Sequence, residues 1–155
     1  MAHLTRLDRC LLNELQRDTR TSVAALGERC GASRASVQRR LKALRDDGTI
    51  VHEVALVERA ASDAPMTFIV LVEVERESRD RLDTFRAKAR RDPSVQQCYC
   101  VAGETDFVVI VGASDMADYE RFTERFFLDD DNIRRFRTSV AITVDKFHTA
   151  LPFGS

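Results

Sequence analysis

Residues 22–48, SVAALGERCGASRASVQRRLKALRDDG, decide the architecture of the first part of the chain. Ser22 stands where a helix N-cap accepts hydrogen bonds from the first helical N–H groups. Val23, Leu26 and Cys30 recur at helical spacing, and Gly31 follows where a helix ends in left-handed backbone. Ser33 caps a further helix whose buried stripe is Val37, Leu41 and Leu44, and Gly48 closes it. Upstream, Leu4, Leu7, Leu11 and Leu15, with Leu12 beside them, predict a helix over about 4–17. Downstream, Thr49 to Val57 is rich in Val and Ile and reads as extended. Three short helices followed by a strand pair is the plan of a winged helix-turn-helix.

The third helix carries the charge. Between Gly31 and Asp46 lie Arg34, Arg39, Arg40, Lys42 and Arg45, with no acid among them. At about 100° per residue, Ala35, Arg39 and Lys42 oppose the buried stripe. Arg34, Gln38 and Arg45 form one flank; Ser36 and Arg40 form the other. Small residues near the helix start let its backbone sink into a major groove, where Arg and Gln reach base edges with bidentate hydrogen bonds. The N-termini at Ser22 and Ser33 point N–H groups at phosphates. The expected DNA-binding residues are therefore Ser22, Ser33, Arg34, Ala35, Ser36, Gln38, Arg39 and Arg40. Arg40 borders the buried stripe, so it either touches DNA or braces the motif.

The rest of the chain has a different grain. Residues 58–66 lack an apolar period and read as a hinge between a domain at 1–57 and another at 67–155. In the second domain, strands at 67–75, 96–102, 106–111 and 136–144 alternate with helices after Ser78 and after Ser114 or Asp115. That order is β-α-β-β-α-β, a ferredoxin-like α+β fold. Phe68 to Val72 and Phe107 to Val111 are apolar on both faces. Two helices cover one face of a four-stranded sheet, so the other face calls for a second copy of the chain.

Composition supports a folded, soluble protein. The chain has 155 residues, 44% hydrophobic and 32% charged, and a net charge of −1. Residues 1–60 hold eleven Lys/Arg against eight Asp/Glu, while the remainder is acidic. No run approaches the ~18 apolar residues of a membrane span, and the start lacks a signal-peptide core. A cytoplasmic location is expected. Cys10 and Cys30 are expected to pack as reduced, small hydrophobes. Cys98 and Cys100 share one face of a strand, without C-x-x-C spacing.

Catalytic and metal signatures are absent from the sequence. His3, His52 and His148 have no metal-like spacing, and no Walker loop or nucleophile elbow is present. Asp129-Asp130-Asp131 reads as a solvated loop. No cofactor, metal or enzymatic activity is expected.

The ordered set Leu7-Asp8, Leu11-Leu12, Leu15-Gln16, Arg20-Thr21-Ser22, Leu26, Ser33, Val37, Arg40-Leu41, Leu44 and Gly48-Thr49-Ile50 resembles the opening signature of the Lrp/AsnC (feast/famine) family of regulators. Val101-Ala102-Gly103-Glu104-Thr105-Asp106-Phe107 is similar to that family's Gly-x-x-Asp-aromatic loop, and Thr138 and Lys146 fall where the family has a Thr and a Lys. Three positions depart from the pattern. Gly27 stands in place of the usual Ala, the hinge lacks the usual Pro and Gly, and Thr105 replaces the commoner aromatic.

The resemblance implies a transcription regulator, dimeric or assembled further into octamers, that binds a free amino acid near the loop between dimers. Backbone N–H groups around Gly103, Glu104 and Thr105 suit a carboxylate. Asp106 suits an ammonium group. Val101 and a hydroxyl of Thr138 or Ser139 complete the expected effector set. A bare hairpin turn also explains Gly-Glu-Thr-Asp. Two other readings share the architecture: a sirohaem-decarboxylase-like enzyme using His52 and nearby arginines, and a sensing dimer that never meets DNA.

Overall fold

Thr5 opens the first helix in the computed structural model, which describes residues 4–154. Its hydroxyl accepts from the Asp8 N–H at 3.2 Å while the Asp8 carboxylate accepts from the Thr5 N–H at 2.8 Å. This reciprocal cap starts α1 (Arg6–Leu15) two residues later than the apolar spacing alone predicts. Ser22 caps α2 (Val23–Cys30), which ends at Gly31 with φ of 65°. Ser33 caps α3 (Arg34–Asp46). Leu11, Leu15, Leu26, Val37 and Leu41 form the core that holds the three helices together.

The expected wing strand does not form. Residues 49–58 are irregular, and Val51, Val54, Leu56 and Val57 are exposed. The Ile50 N–H closes the end of α3 on the Leu44 carbonyl at 2.8 Å. Beyond it the stretch has strand propensity but no ladder partner, and propensity without a partner does not make a strand.

The second unit is built on β1 (Met66–Val74), α4 (Arg79–Arg91), β2 (Val95–Cys100), β3 (Phe107–Ala113), α5 (Met116–Thr123) and β4 (Ile133–Val140). The sheet order is β2-β3-β1-β4, antiparallel throughout. A π-helical turn, Glu124–Leu128, prolongs α5. Phe68, Val70, Val72 and Val74 of β1 and Phe107, Val109 and Val111 of β3 point into one core with Phe85, Ala89, Tyr119, Phe122, Phe126 and Phe127. The opposite face carries Ile69, Leu71, Val108 and Ile110, none of them buried, with Ile69 39% exposed.

β4 begins and ends earlier than expected at 136–144. Its register on β1 runs from Val74↔Ile133 to Phe68↔Val140, and β1 stops at Met66. Continued in that register, Ile142 falls opposite Met66, the first residue of β1, and Val144 beyond it, so the ladder gives out there although both are good strand formers.

The chain divides into two compact units. One comprises residues through Ala55 together with the segment from Asp145 onward; the other is Leu56–Val144. The C-terminal segment groups with the helical unit. Among the described residues, no helix is long and apolar enough to cross a membrane.

Candidate nucleic-acid interface and effector loop

α3 presents its charge as its period requires. Arg34, Ala35, Gln38, Arg39, Lys42 and Arg45 are exposed, while Val37, Leu41 and Leu44 are buried. Their commitments differ. Arg45 makes two 3.0 Å hydrogen bonds to the Glu53 carboxylate, and Lys42 pairs with Asp46 one turn on. Arg34, Gln38 and Arg39 have no side-chain partner among the described residues.

Arg40 is spent inside the unit. Its Nε and a terminal nitrogen donate to the two oxygens of Asp8 at 2.7 and 2.8 Å. Asp8 is fully buried and also takes the Thr5 hydroxyl at 2.6 Å. Burial pushes the Asp8 carboxyl up, but the Arg40 and Thr5 hydrogen bonds outweigh it and hold the group below its ordinary range. Of the two roles the sequence left open for Arg40, the geometry supplies the brace between α1 and α3. The Thr5-x-x-Asp8 spacing is the signal by which Asp8 was recognisable as a capping residue.

The other helix-unit residues fall as follows. Ser22 and Ser33 both accept from the N–H three residues on at 3.2 Å, and Ser33 also donates to the Ser36 hydroxyl at 3.0 Å. Both caps open helices of eight residues or more. The α2–α3 turn is tight enough to explain Gly27: a Cβ there would lie 2.6 Å from the Ala32 carbonyl oxygen. The departure from Ala at this position is thus a packing requirement of this chain.

Cys10 and Cys30 are disulfide-bonded, which corrects the expectation of two reduced, packed thiols. Helical period places each residue on a face but not at a crossing point; packing of α1 on α2 brings their Cα atoms to 5.7 Å. Glu14 strengthens the same junction by accepting from Arg29 at 2.7 Å. Cys98 and Cys100 are free, the first half-buried and raised in pKa by desolvation, the second exposed.

The candidate effector loop is anchored mainly on β1, by its backbone and by two of its side chains. The Val101 N–H donates to the Asp106 carbonyl and the Asp106 N–H to the Val72 carbonyl, both at 2.9 Å. The Asp106 carboxylate accepts from the Val74 N–H at 2.7 Å, and the Thr105 hydroxyl donates to the Val72 carbonyl at 2.6 Å. Gly103 has φ of 149°, and nothing lies within 4 Å of where its Cβ would be. Val101, Gly103 and Glu104 are exposed.

Thr138 and Ser139 do not join this loop within one chain. β3 and β4 flank β1, roughly 10 Å apart. Thr138 pairs with Val70 on the helix-covered face, where its hydroxyl meets the Tyr119 hydroxyl. Ser139 pairs with Ile69 on the open face. A cleft of about 300 Å³ lies elsewhere, lined by Phe127, Leu128, Asp130, Ile133, Arg134, Arg135 and Phe136.

The remaining sequence candidates are occupied or dispersed. Asp130 binds Lys88 at 3.1 Å and Asp131 binds Arg81 at 2.8 Å. No cluster able to hold a metal ion exists among the described residues. His52 is exposed in the irregular stretch, and His148 accepts from the Ala150 N–H at 3.1 Å. His3 lies outside the described residues.

Two family models match this chain: an AsnC-type helix-turn-helix domain over residues 4–45 and an Lrp/AsnC ligand binding domain over residues 67–151. The chain belongs to the Lrp/AsnC family of transcriptional regulators. Its relatives agree with that assignment. An HTH-type transcriptional regulator of Sinorhizobium fredii is 40% identical over 149 residues, spanning 96% of this chain and 88% of that protein. The transcriptional activator DecR of Escherichia coli is 30% identical, spanning 96% and 98% of the two chains.

Solved structures match nearly the whole of this Lrp/AsnC chain. An AsnC family regulator from Agrobacterium tumefaciens superposes with a TM-score of 0.88 at 30% identity, covering 96% of this chain and 97% of that one. A Neisseria meningitidis regulator solved with L-methionine superposes with a TM-score of 0.87 at 27% identity, covering 97% of each chain.

Proposed function

We propose that this regulator reads specific double-stranded DNA sequences through Arg34, Gln38 and Arg39 and responds to a free amino acid bound at the loop around Gly103 and Asp106. One observation carries the DNA half: three exposed side chains of the recognition helix with the right donors and no side-chain partner among the described residues. Arg34 and Arg39 suit guanine, and Gln38 suits adenine. Ala35 and Ser36 let the helix approach, while the N-termini at Ser22 and Ser33 take phosphates. Arg40 acts from behind by fixing α3 on α1.

Two chains joined through the open sheet face, which carries Ile69, Leu71, Val108 and Ile110, would set two recognition helices on one roughly palindromic site. Further assembly, to an octamer, belongs to the same reading, as does a cytoplasmic location. The effector half is supported by the loop's exposed, glycine-dependent turn and by the amino acid held by the Neisseria relative. An effector acts only through unequal affinity for two states of the assembly.

The test is selection of binding duplexes from a random library, followed by titration. Gln38→Ala and Arg39→Ala should each weaken the selected site by about 1–3 kcal/mol and relax its sequence. Affinity should fall steeply with salt. Unchanged affinity and preference in both variants would remove the recognition assignment. Calorimetric titration with the twenty amino acids tests the second half, and silence from all would sink it.

A further inference from the structure

Beyond the Cys10–Cys30 bond, α1 makes a second kind of attachment. Asn13 and Gln16 lie three residues apart, so they share one side of the helix end. Gln16 donates its Nε2 hydrogen to the Leu151 carbonyl at 2.9 Å and accepts from the Leu151 N–H at 2.7 Å. Asn13 repeats the pattern on Phe153, donating at 2.9 Å and accepting at 3.3 Å. A side-chain amide offers a donor and an acceptor side by side, which matches the N–H and C=O of one residue of extended chain. Residues 151 and 153 are the alternate positions such a chain turns to one side.

The held segment is shaped for this seat. Pro152 sits between the two clamped residues, where the N–H it lacks would have pointed away from the clamp. Its ring also keeps Leu151 extended, so less chain entropy is lost on seating. The Leu151 side chain adds little, being 68% exposed, whereas that of Phe153 is half-buried. The four hydrogen bonds themselves recognise extended main chain.

The other end of that segment is β4, which finishes at Val140. From Thr138 and Ser139 the chain runs through the irregular residues 141–150 to the positions that Asn13 and Gln16 hold by hydrogen bonds. α1 in turn holds α2 through Cys10–Cys30 and α3 through Asp8–Arg40. We infer that Asn13 and Gln16 form a carboxamide clamp for this chain's own C-terminal segment, and that the clamped segment carries the DNA-bound state of α3 to β4. Thermodynamic reciprocity requires that a bias imposed at β4 change the affinity of α3 for DNA by the same factor as DNA changes β4.

This inference rests on the DNA-binding reading, so duplex binding is measured on the same samples of full-length protein. Hydrogen exchange should show the amides of Leu151 and Phe153 protected by about tenfold or more without DNA. Asn13→Ala/Gln16→Ala should abolish that protection and leave α1 protected. Adding a selected duplex to the native protein should change exchange within β4, residues 133–140; the double variant should bind the duplex within about threefold yet lose most of that change. A chain shortened after Ala150, with α1 untouched, should behave as the double variant does and serves if the latter unfolds.

Free exchange at Leu151 and Phe153 in the native protein would overturn the clamp. An unaltered β4 response in either variant, or no β4 response in native protein that binds duplex, would overturn the coupling. Protein that binds no duplex would fail the DNA-binding reading instead, and the exchange measurement without DNA would still decide the clamp.

Discussion

Removing the Cys10–Cys30 bond should loosen the helical unit and leave the sheet unit as an internal standard. The two cysteines are 20 positions apart, so the bond closes a ring of that length in the unfolded chain. Loop-closure entropy for such a ring amounts to about 3 kcal/mol at 25 °C. The unit it protects has a small core, centred on Leu11, Leu15, Leu26, Val37 and Leu41, with a few partly buried neighbours. Small units live close to their stability limit. For a domain of that size, about 3 kcal/mol corresponds to a drop in melting temperature of roughly 12–24 °C. Scanning calorimetry of native protein, of reduced protein and of Cys10→Ser/Cys30→Ser should therefore show one transition falling and one unmoved. Thiol titration of the unfolded, unreduced chain should find the two free cysteines, Cys98 and Cys100, and reduction should reveal the other pair. Four free thiols before reduction, or a lower transition that moves by less than about 2 °C, would refute the reasoning.

Gly27→Ala would place a methyl 2.6 Å from the Ala32 carbonyl oxygen, so the α2–α3 turn must shift. A cost of about 1–3 kcal/mol to the helical unit is expected, read as a lowered first melting transition and weakened duplex binding. The Asp8 carboxyl is held below its unfolded value, so its contribution is complete above that value and is lost as pH falls through the folded one. Acidification below about pH 4 should lower the melting of the helical unit, and Asp8→Asn should flatten that dependence while reducing stability at neutral pH. Asp106→Asn keeps an oxygen for the Val74 N–H but removes the charge. It should melt like native protein and lose any amino-acid response; a retained response in calorimetry would take Asp106 out of the effector site.

How far the sequence could be followed depended on whether a feature was local. Helix caps at Ser22 and Ser33, the stripe Val37/Leu41/Leu44 and the end at Gly31 are set within a few residues, and each stands where spacing placed it. The β-α-β-β-α-β order was legible for the same reason. Features that need two distant segments were not. The disulfide depends on how α1 crosses α2, and the clamp on α1 joins residues more than 130 positions apart. Strand limits failed where propensity and pairing disagree. Ile142 and Val144 read as strand and are not; Arg134 and Arg135 precede the strand as read yet lie in β4, where both pair with Glu73 of the neighbouring strand. In the candidate sites, exposure on α3 followed from period, but which arginines were already paired did not.

That arrangement of charge along β4 also governs how the sheet can grow. β4 is an edge strand, with backbone groups free to pair with another strand. Arg134, Arg135 and Arg137 all lean on the single carboxylate of Glu73, so the edge keeps a surplus of positive charge. Two such rims approaching side by side would meet guanidinium with guanidinium and be repelled. The protein thus guards itself against runaway lateral stacking into fibres, and leaves its flat, greasier surface as the cheaper way for copies to meet.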